Sequence, residues 1–316
     1  MPWAARARLS AALLTCLALA CLREEEPAET PKRGRVRTAT RVADVHSSTT
    51  GWTIRDLRLE DRTLDGASGL AKDDSGVFWA VTERSSVLTA IDLEHARVIR
   101  SVPIRGILGG VDAESLAHLG GARFAVGTER RQADRAQDEV LIVEVGKEEA
   151  RITDRLLLPW ASWGLSAGGN QGIEGACAAG GEILVAGEPT LVESERRYAP
   201  LASRKISGGE WAIHRIPLTS RTGKISALAC RARDGAIEVA AIERHYEVSR
   251  LLRFVLPTSP GTAISAELAV DLAQYIDPMP NLEGLEWLDG DSFVLLSDNQ
   301  GAIAVGPTKL FILGRR

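Results

Sequence analysis

The sequence predicts an all-β protein: a β-propeller of five four-stranded blades, with six as the alternative count, closed by an N-terminal strand in the last blade. Three observations predict it. A two-strand pattern recurs five times, and its closing acids stand 46 to 59 residues apart, the length of one blade. Glycine is plentiful at 30 residues and aromatics are few at 5%, which suits many short strands joined by tight turns. The last repeat is followed by a single strand pattern, Lys309 to Leu313, while an unpaired one, Thr53 to Leu59, precedes the first. Placing that early strand in the last blade joins the chain ends and leaves no bare edge.

Each repeat opens on small residues and a short strand. The five openings are Asp65 to Leu70, Asp112 to Leu116, Gly172 to Ala176, Ile225 to Leu228 and Asn281 to Leu285. A Gly- or Asp-bearing turn follows, such as Asp73-Asp74-Ser75-Gly76. A second apolar strand then ends on an acid: Glu83, Glu129, Glu188, Glu243 and Asp298. These acids lie 14 to 17 residues beyond Ser68, Glu114, Glu174, Ser226 and Glu283 respectively. In the third repeat the segment from Thr190 to about Ser203 reads as a polar loop over one face, with Arg196 and Arg197 in it.

In a blade the innermost strand lines the channel and its neighbour runs antiparallel, so strand starts and strand ends share one mouth. The spacing therefore gathers eight carboxylates there: Glu114, Glu174 and Glu283 from starts, and Glu83, Glu129, Glu188, Glu243 and Asp298 from ends. A bland role is available, in which each acid accepts backbone hydrogen bonds and pins the register. For the whole set, like charges destabilise one another unless protons, cations or basic neighbours compensate. Arg84, Arg130 and Arg244 each follow a strand-end acid, with Arg131 and His245 next in line. Oxygen-only ligands without Cys or paired His suit Ca²⁺ rather than Zn²⁺. The other histidines are scattered, which gives a zinc site or a Ser-His-Asp triad little support.

Residues 1–20 read as a signal peptide, with Arg6 and Arg8 before an apolar run from Leu9 to Ala20. That run is too short to span a bilayer of roughly 30 Å. Cys21 after it resembles the acylated cysteine of bacterial lipoproteins, although Ala18 stands where Leu is usual. Residues 21–45, charged and Pro-bearing, read as a tether, and 46–316 as a single propeller domain. The expectation is an exported protein, lipid-anchored in the periplasm or outer membrane, touching the membrane through that anchor alone, and monomeric. A net charge of −4 without a basic block argues against nucleic acid. In an oxidising compartment Cys177 and Cys230 could pair. The repeat alignment puts them one position apart, on opposite faces of their strands, which argues against a disulfide.

Ser68-Gly69-Leu70, Asp112 to Leu116, Asn170 to Gly175, Leu282 to Leu285 and Ser297-Asp298-Asn299 together resemble the bacterial phytase-like (esterase-like activity of phytase) propeller domain, over about residues 50 to 315. The extended metal-binding motifs of the true phytases are not found. The resemblance implies ester or phosphoester hydrolysis by acids that hold Ca²⁺ at one mouth. In that reading Glu114, Glu174, Glu283 and Asp298 hold the metal, and Glu83 and Glu129 complete the acidic mouth. Arg84, Arg130, Arg244 and His245 receive a small anionic ligand or substrate, and Glu188 or Glu243 serves as general acid or base. A lactonase-type propeller would use the same residues. The alternative class is a non-catalytic propeller lipoprotein that binds a ligand or protein on that mouth.

Overall fold

A computed structural model of the chain describes residues 46–47, 51–59, 64–83, 85–132, 135–166, 171–299 and 308–315. The expected signal peptide, the tether and Cys21 lie outside the described residues. The regular structure of the described residues is nearly all strand, with helix confined to short 3-10 turns such as Trp160–Trp163 and Leu272–Gln274.

The strands group into five antiparallel units. The first runs Ala67–Lys72, Phe78–Thr82, Val87–Asp92, Arg97–Arg105, and the second Val111–Gly120, Arg123–Arg130, Gln137–Val145, Ala150–Pro159. The outermost strands of these two touch through a short parallel pairing, Ala150 opposite Ile104 and Arg151 opposite Arg105. The third holds Ile173–Ala179, Glu182–Gly187, Arg196–Lys205 and Ala212–Pro217. The fourth holds Lys224–Arg233, Ala236–His245, Val248–Val255 and Glu267–Asp271. The fifth holds Asn281–Trp287, Phe293–Asp298 and Lys309–Arg315, and its fourth strand is Trp52–Arg58 from the other end of the domain. Trp52 lies opposite Arg315 and Arg58 opposite Lys309, the closure expected from the orphan strand pattern.

Burial follows strand position. Second strands such as Phe78–Thr82 are buried throughout, while the outer Arg97–Arg105 alternates toward solvent. The first strands of the units lie side by side in a closed cycle, one to five and back to one. Between each adjacent pair sits one buried apolar layer. Leu116, Phe124 and Val126 meet Trp79 and Val81 between the first and second units. Leu57, Leu296 and Leu310 meet Leu70 and Phe78 between the fifth and first. Every unit is thus covered on both faces, which is how a set of short sheets buries a core without a helix.

Two expectations change. The segment after Glu188 is not a loop: Leu191–Glu193 forms a hairpin with the start of Arg196–Lys205, and Arg196–Lys205 is the third strand of its unit. Its buried Ala199, Leu201 and Ala202 fill neighbouring layers, a signal masked by the charged residues ahead of them. Cys177 and Cys230 form a disulfide, with Cα atoms 5.6 Å apart. Opposite faces exclude pairing within one sheet. Between stacked units the front of one meets the back of the next, so opposite faces are what bring the two sulfurs together. With a separation of 53 residues, loop-closure entropy puts the stabilisation at about 4 kcal/mol.

Candidate active site at the acidic mouth

The same irregularity occurs at the start of every inner strand. Pairing with the second strand slips between Ala67 and Gly69, Ala113 and Ser115, Ile173 and Gly175, Ile225 and Ala227, and Leu282 and Gly284. The residue skipped is Ser68, Glu114, Glu174, Ser226 or Glu283, the position singled out from the repeats. A bulge frees one residue from the ladder and re-aims its side chain. It therefore gives five strands a common device for turning a polar group toward the mouth.

The residue after each bulge is small because the next inner strand passes close by. A Cβ on Gly69 would stand 2.5 Å from the Leu116 backbone nitrogen, and one on Gly284 2.9 Å from Leu70 Cβ. Ser115, in the same position, donates to the Ile173 carbonyl of the next unit at 2.8 Å. The Glu-Gly and Ser-Gly pairs are thus a packing constraint joined to a site residue.

Register also decides which strand-end residues belong to the mouth. Glu129 lies opposite Asp112 and Asp298 opposite Asn281, while the Glu83 and Glu188 amides donate to the Gly66 and Gly172 carbonyls. In the fourth unit the matching position, opposite Lys224, is filled by Arg244. Glu243 pairs with Ile225 and falls in the column of Thr82, Thr128, Gly187 and Ser297. Its carboxylate is fully buried and accepts from the amides and hydroxyls of Thr219 and Ser220 at 2.5 to 2.9 Å. Glu243 therefore anchors a loop and is withdrawn as general acid or base. Its spacing of 17 residues from Ser226 exceeds the 14 or 15 found elsewhere because the hairpin around Asp234 is longer, and counting back from the acid misplaces it.

The mouth as built holds Glu83, Asp112, Glu114, Glu129, Glu174, Glu188, Glu283 and Asp298. Three trios bring carboxylate oxygens within 4.8 Å of one another: Glu83, Glu283 and Asp298; Asp112, Glu114 and Glu129; and Glu129, Glu174 and Glu188. Ser68 Oγ is 3.1 Å from Glu83, 3.1 Å from Glu114 and 3.3 Å from Glu283. One hydroxyl has one proton to give, so two of these three contacts need another proton or a cation. Burial, then the Asp298 charge, holds Glu83 up at about 7. Burial, then the Glu174 charge, holds Glu129 at about 8. Burial also lifts Glu283 to about 8 against the opposing pull of Arg244, and lifts Glu114 and Glu174 above the usual carboxylate range.

The basic residues distribute unevenly. Arg244 reaches Glu283 Oε1 at 2.8 Å, and Lys224 pairs with Glu188 Oε1. Burial lowers the Lys224 pKa, while Glu174 opposes that shift. Arg130 turns away to Glu139 at 2.5 Å, where Arg155 joins it, and so does not line the mouth as an anion receptor. Arg131 sits on Asp112 at 3.0 Å. His245 is partly buried against the edge of the Tyr246 ring and makes no bond to a mouth acid among the described residues. Arg84 lies outside the described residues. The repeats did not reveal Lys224 as a site residue. Its signal was the column two residues before each bulge, where Asp112, Lys224 and Asn281 replace glycine. Asn281 donates to Glu283 at 2.7 Å and Asp298 at 3.2 Å from that column.

The donor set fits a hard divalent cation: all oxygen, in adjoining trios, with Glu188 Oε2 buried and lacking a hydrogen-bond partner. Residues 62–301 match the phytase-like family, described as esterase-like activity of phytase. No curated protein sequence matches the chain. Among solved structures, Myxococcus xanthus glutaminyl cyclase superposes with a TM-score of 0.50 at 16% identity, covering 89% of this chain and all of that one. The PQQ-bound aldose sugar dehydrogenase of Streptomyces coelicolor gives 0.49 at 12% identity, covering 85% of this chain and all of that one. At 16% identity the likeness to the glutaminyl cyclase speaks for the fold alone. The family match spans most of the domain, including all five bulged strand starts and their acids, and the chain belongs to the phytase-like (esterase-like activity of phytase) family of β-propellers.

Proposed function

We propose that this protein is a calcium-dependent hydrolase of phosphate or carboxylate esters, working at the acidic mouth. The observation that carries the reading is eight carboxylates converging against three basic side chains, Lys224, Arg244 and the exposed Arg131 on Asp112, with one serine hydroxyl facing three of them. Such a site is stabilised by what neutralises it. The three trios would hold Ca²⁺, which when bound polarises an ester oxygen and lowers the pKa of water.

The remaining roles fall to the chain's own groups. Lys224 and Arg244 form the positive side of the mouth and would orient an anionic substrate toward the trios. Glu188 has one oxygen on Lys224, and the other, Oε2, would ligate the cation in the trio with Glu129 and Glu174. Asn281 and Ser68 fix the carboxylates that surround the reacting group. A panel of phosphoesters, carboxyl esters and lactones, assayed with Ca²⁺ and with EDTA, tests the reading. The Glu174→Gln/Glu283→Gln variant is expected to lose at least about 100-fold in kcat/KM. Activity equal to wild type in that folded variant would refute it.

The leader motif supports export with acylation at Cys21 and a place in the periplasm or outer membrane. The full chain is expected to take up labelled fatty acid when expressed in a Gram-negative host. Label retained in Cys21→Ser would count against the anchor.

A further inference from the structure

Against the loop that Glu243 anchors lies a cleft of about 400 Å³ lined by Arg196, Arg197 and Arg221 together with Pro217, Thr219 and Ser220. One carboxylate, Glu195, also lines it, so the cleft carries an excess of positive charge. Its two walls are held rigidly. On one side Arg197 donates to the Gly223 carbonyl and to Thr190 Oγ1, both at 3.0 Å. On the other, the buried Glu243 carboxylate grips Thr219 and Ser220, and Arg250 donates to the Thr219 carbonyl at 3.0 Å. Ser220 Oγ in turn accepts from the Gly223 amide at 2.7 Å. Arg196 and Arg221, in contrast, are exposed, and their side chains make no ion pair or hydrogen bond among the described residues.

An arginine that serves only stability is expected to have a carboxylate or carbonyl to fork onto. Here one guanidinium is tied down as a wall and two stay free over a fixed loop. Forked, permanently charged donors on a preorganised frame match the geometry of a tetrahedral or planar oxyanion. We propose that this cleft is an oxyanion-binding site for a phosphate-bearing ligand, with Arg196 and Arg221 as the donors. The anchoring of Thr219 and Ser220 also explains why a buried carboxylate, Glu243, is spent on one loop.

The site is independent of cation-dependent hydrolysis, and it is tested without the metal. Pyrophosphate is titrated calorimetrically into the signal-free protein in EDTA, at fixed ionic strength. Wild type is expected to bind, and Arg196→Ala/Arg221→Ala to bind at least tenfold more weakly. Binding by Glu174→Gln/Glu283→Gln is expected to match wild type. Arg221→Lys keeps the charge but loses the fork, and should weaken binding severalfold. The single surface change Arg196→Ala serves if the double variant is poorly folded, and should also weaken binding. No binding by wild type, or equal binding by the arginine variants, overturns the proposal. So does binding lost in the mouth variant alone, or full affinity in Arg221→Lys with a steep salt dependence, which marks a diffuse field.

Discussion

Stripped of divalent cations, the protein is expected to become less stable as pH rises from about 5 to about 8, and Ca²⁺ to restore the loss chiefly at the upper end. Glu83 is held at about 7, and Glu129 and Glu283 at about 8, all above the ordinary 4.5. Between those values the folded chain keeps protons that the unfolded chain has released. Stability therefore falls as pH climbs through that window and levels off above it. A bound cation replaces those protons, so calcium binding should release protons near neutrality and gain affinity with pH. At about pH 8 the difference between EDTA and millimolar Ca²⁺ should be about 5 °C or more in Tm. A Tm indifferent to both pH and Ca²⁺ over that range would remove the metal from the site and favour a non-catalytic binding role for the mouth.

Gly69→Ala is expected to be among the most damaging single substitutions, at about 3 kcal/mol, although it adds one methyl group. The new Cβ would lie 2.5 Å from the Leu116 nitrogen and 2.7 Å from the Ser115 carbonyl carbon. Both are backbone atoms of a strand clamped by its own ladder, so no side-chain rotation relieves the overlap. The first and second inner strands must move apart, carrying Ser68 away from Glu114. Urea unfolding should show the loss. A Gly69→Ala protein within about 0.5 kcal/mol of wild type would mean that the inner strands do not approach as described. Gly76→Ala is the contrasting case: its Cβ meets nothing within 4 Å, and the cost there comes from its φ of +84° alone.

How far these features could be read in advance depended on which of them repeat. The five small-residue openings and the apolar strands ending on acids announced the architecture, because a repeated local pattern needs only local rules of turn and alternation. The same repetition located Ser68, Glu114, Glu174 and Glu283, since each is the bulged residue of its strand. The closure of Trp52–Arg58 onto Lys309–Arg315 followed from counting strands.

What the sequence determined by itself, then, was the fold class and the column of polar residues at the mouth. Tertiary structure decided the rest, where a choice depends on register or on which faces meet. Glu243 and Arg244 are neighbours in the chain, and only the hairpin register shows that the arginine faces the mouth while the acid faces the Thr219 loop. Cys177 and Cys230 share no face within a sheet, and only the stacking of one unit on the next joins them. Arg130 follows an acid just as Arg244 does, yet Glu139 on the third strand draws it away. In each case a displacement of one residue reverses the side chain's direction, because the period of a strand is two. The sequence carries that period, but its phase is set by the neighbouring strand.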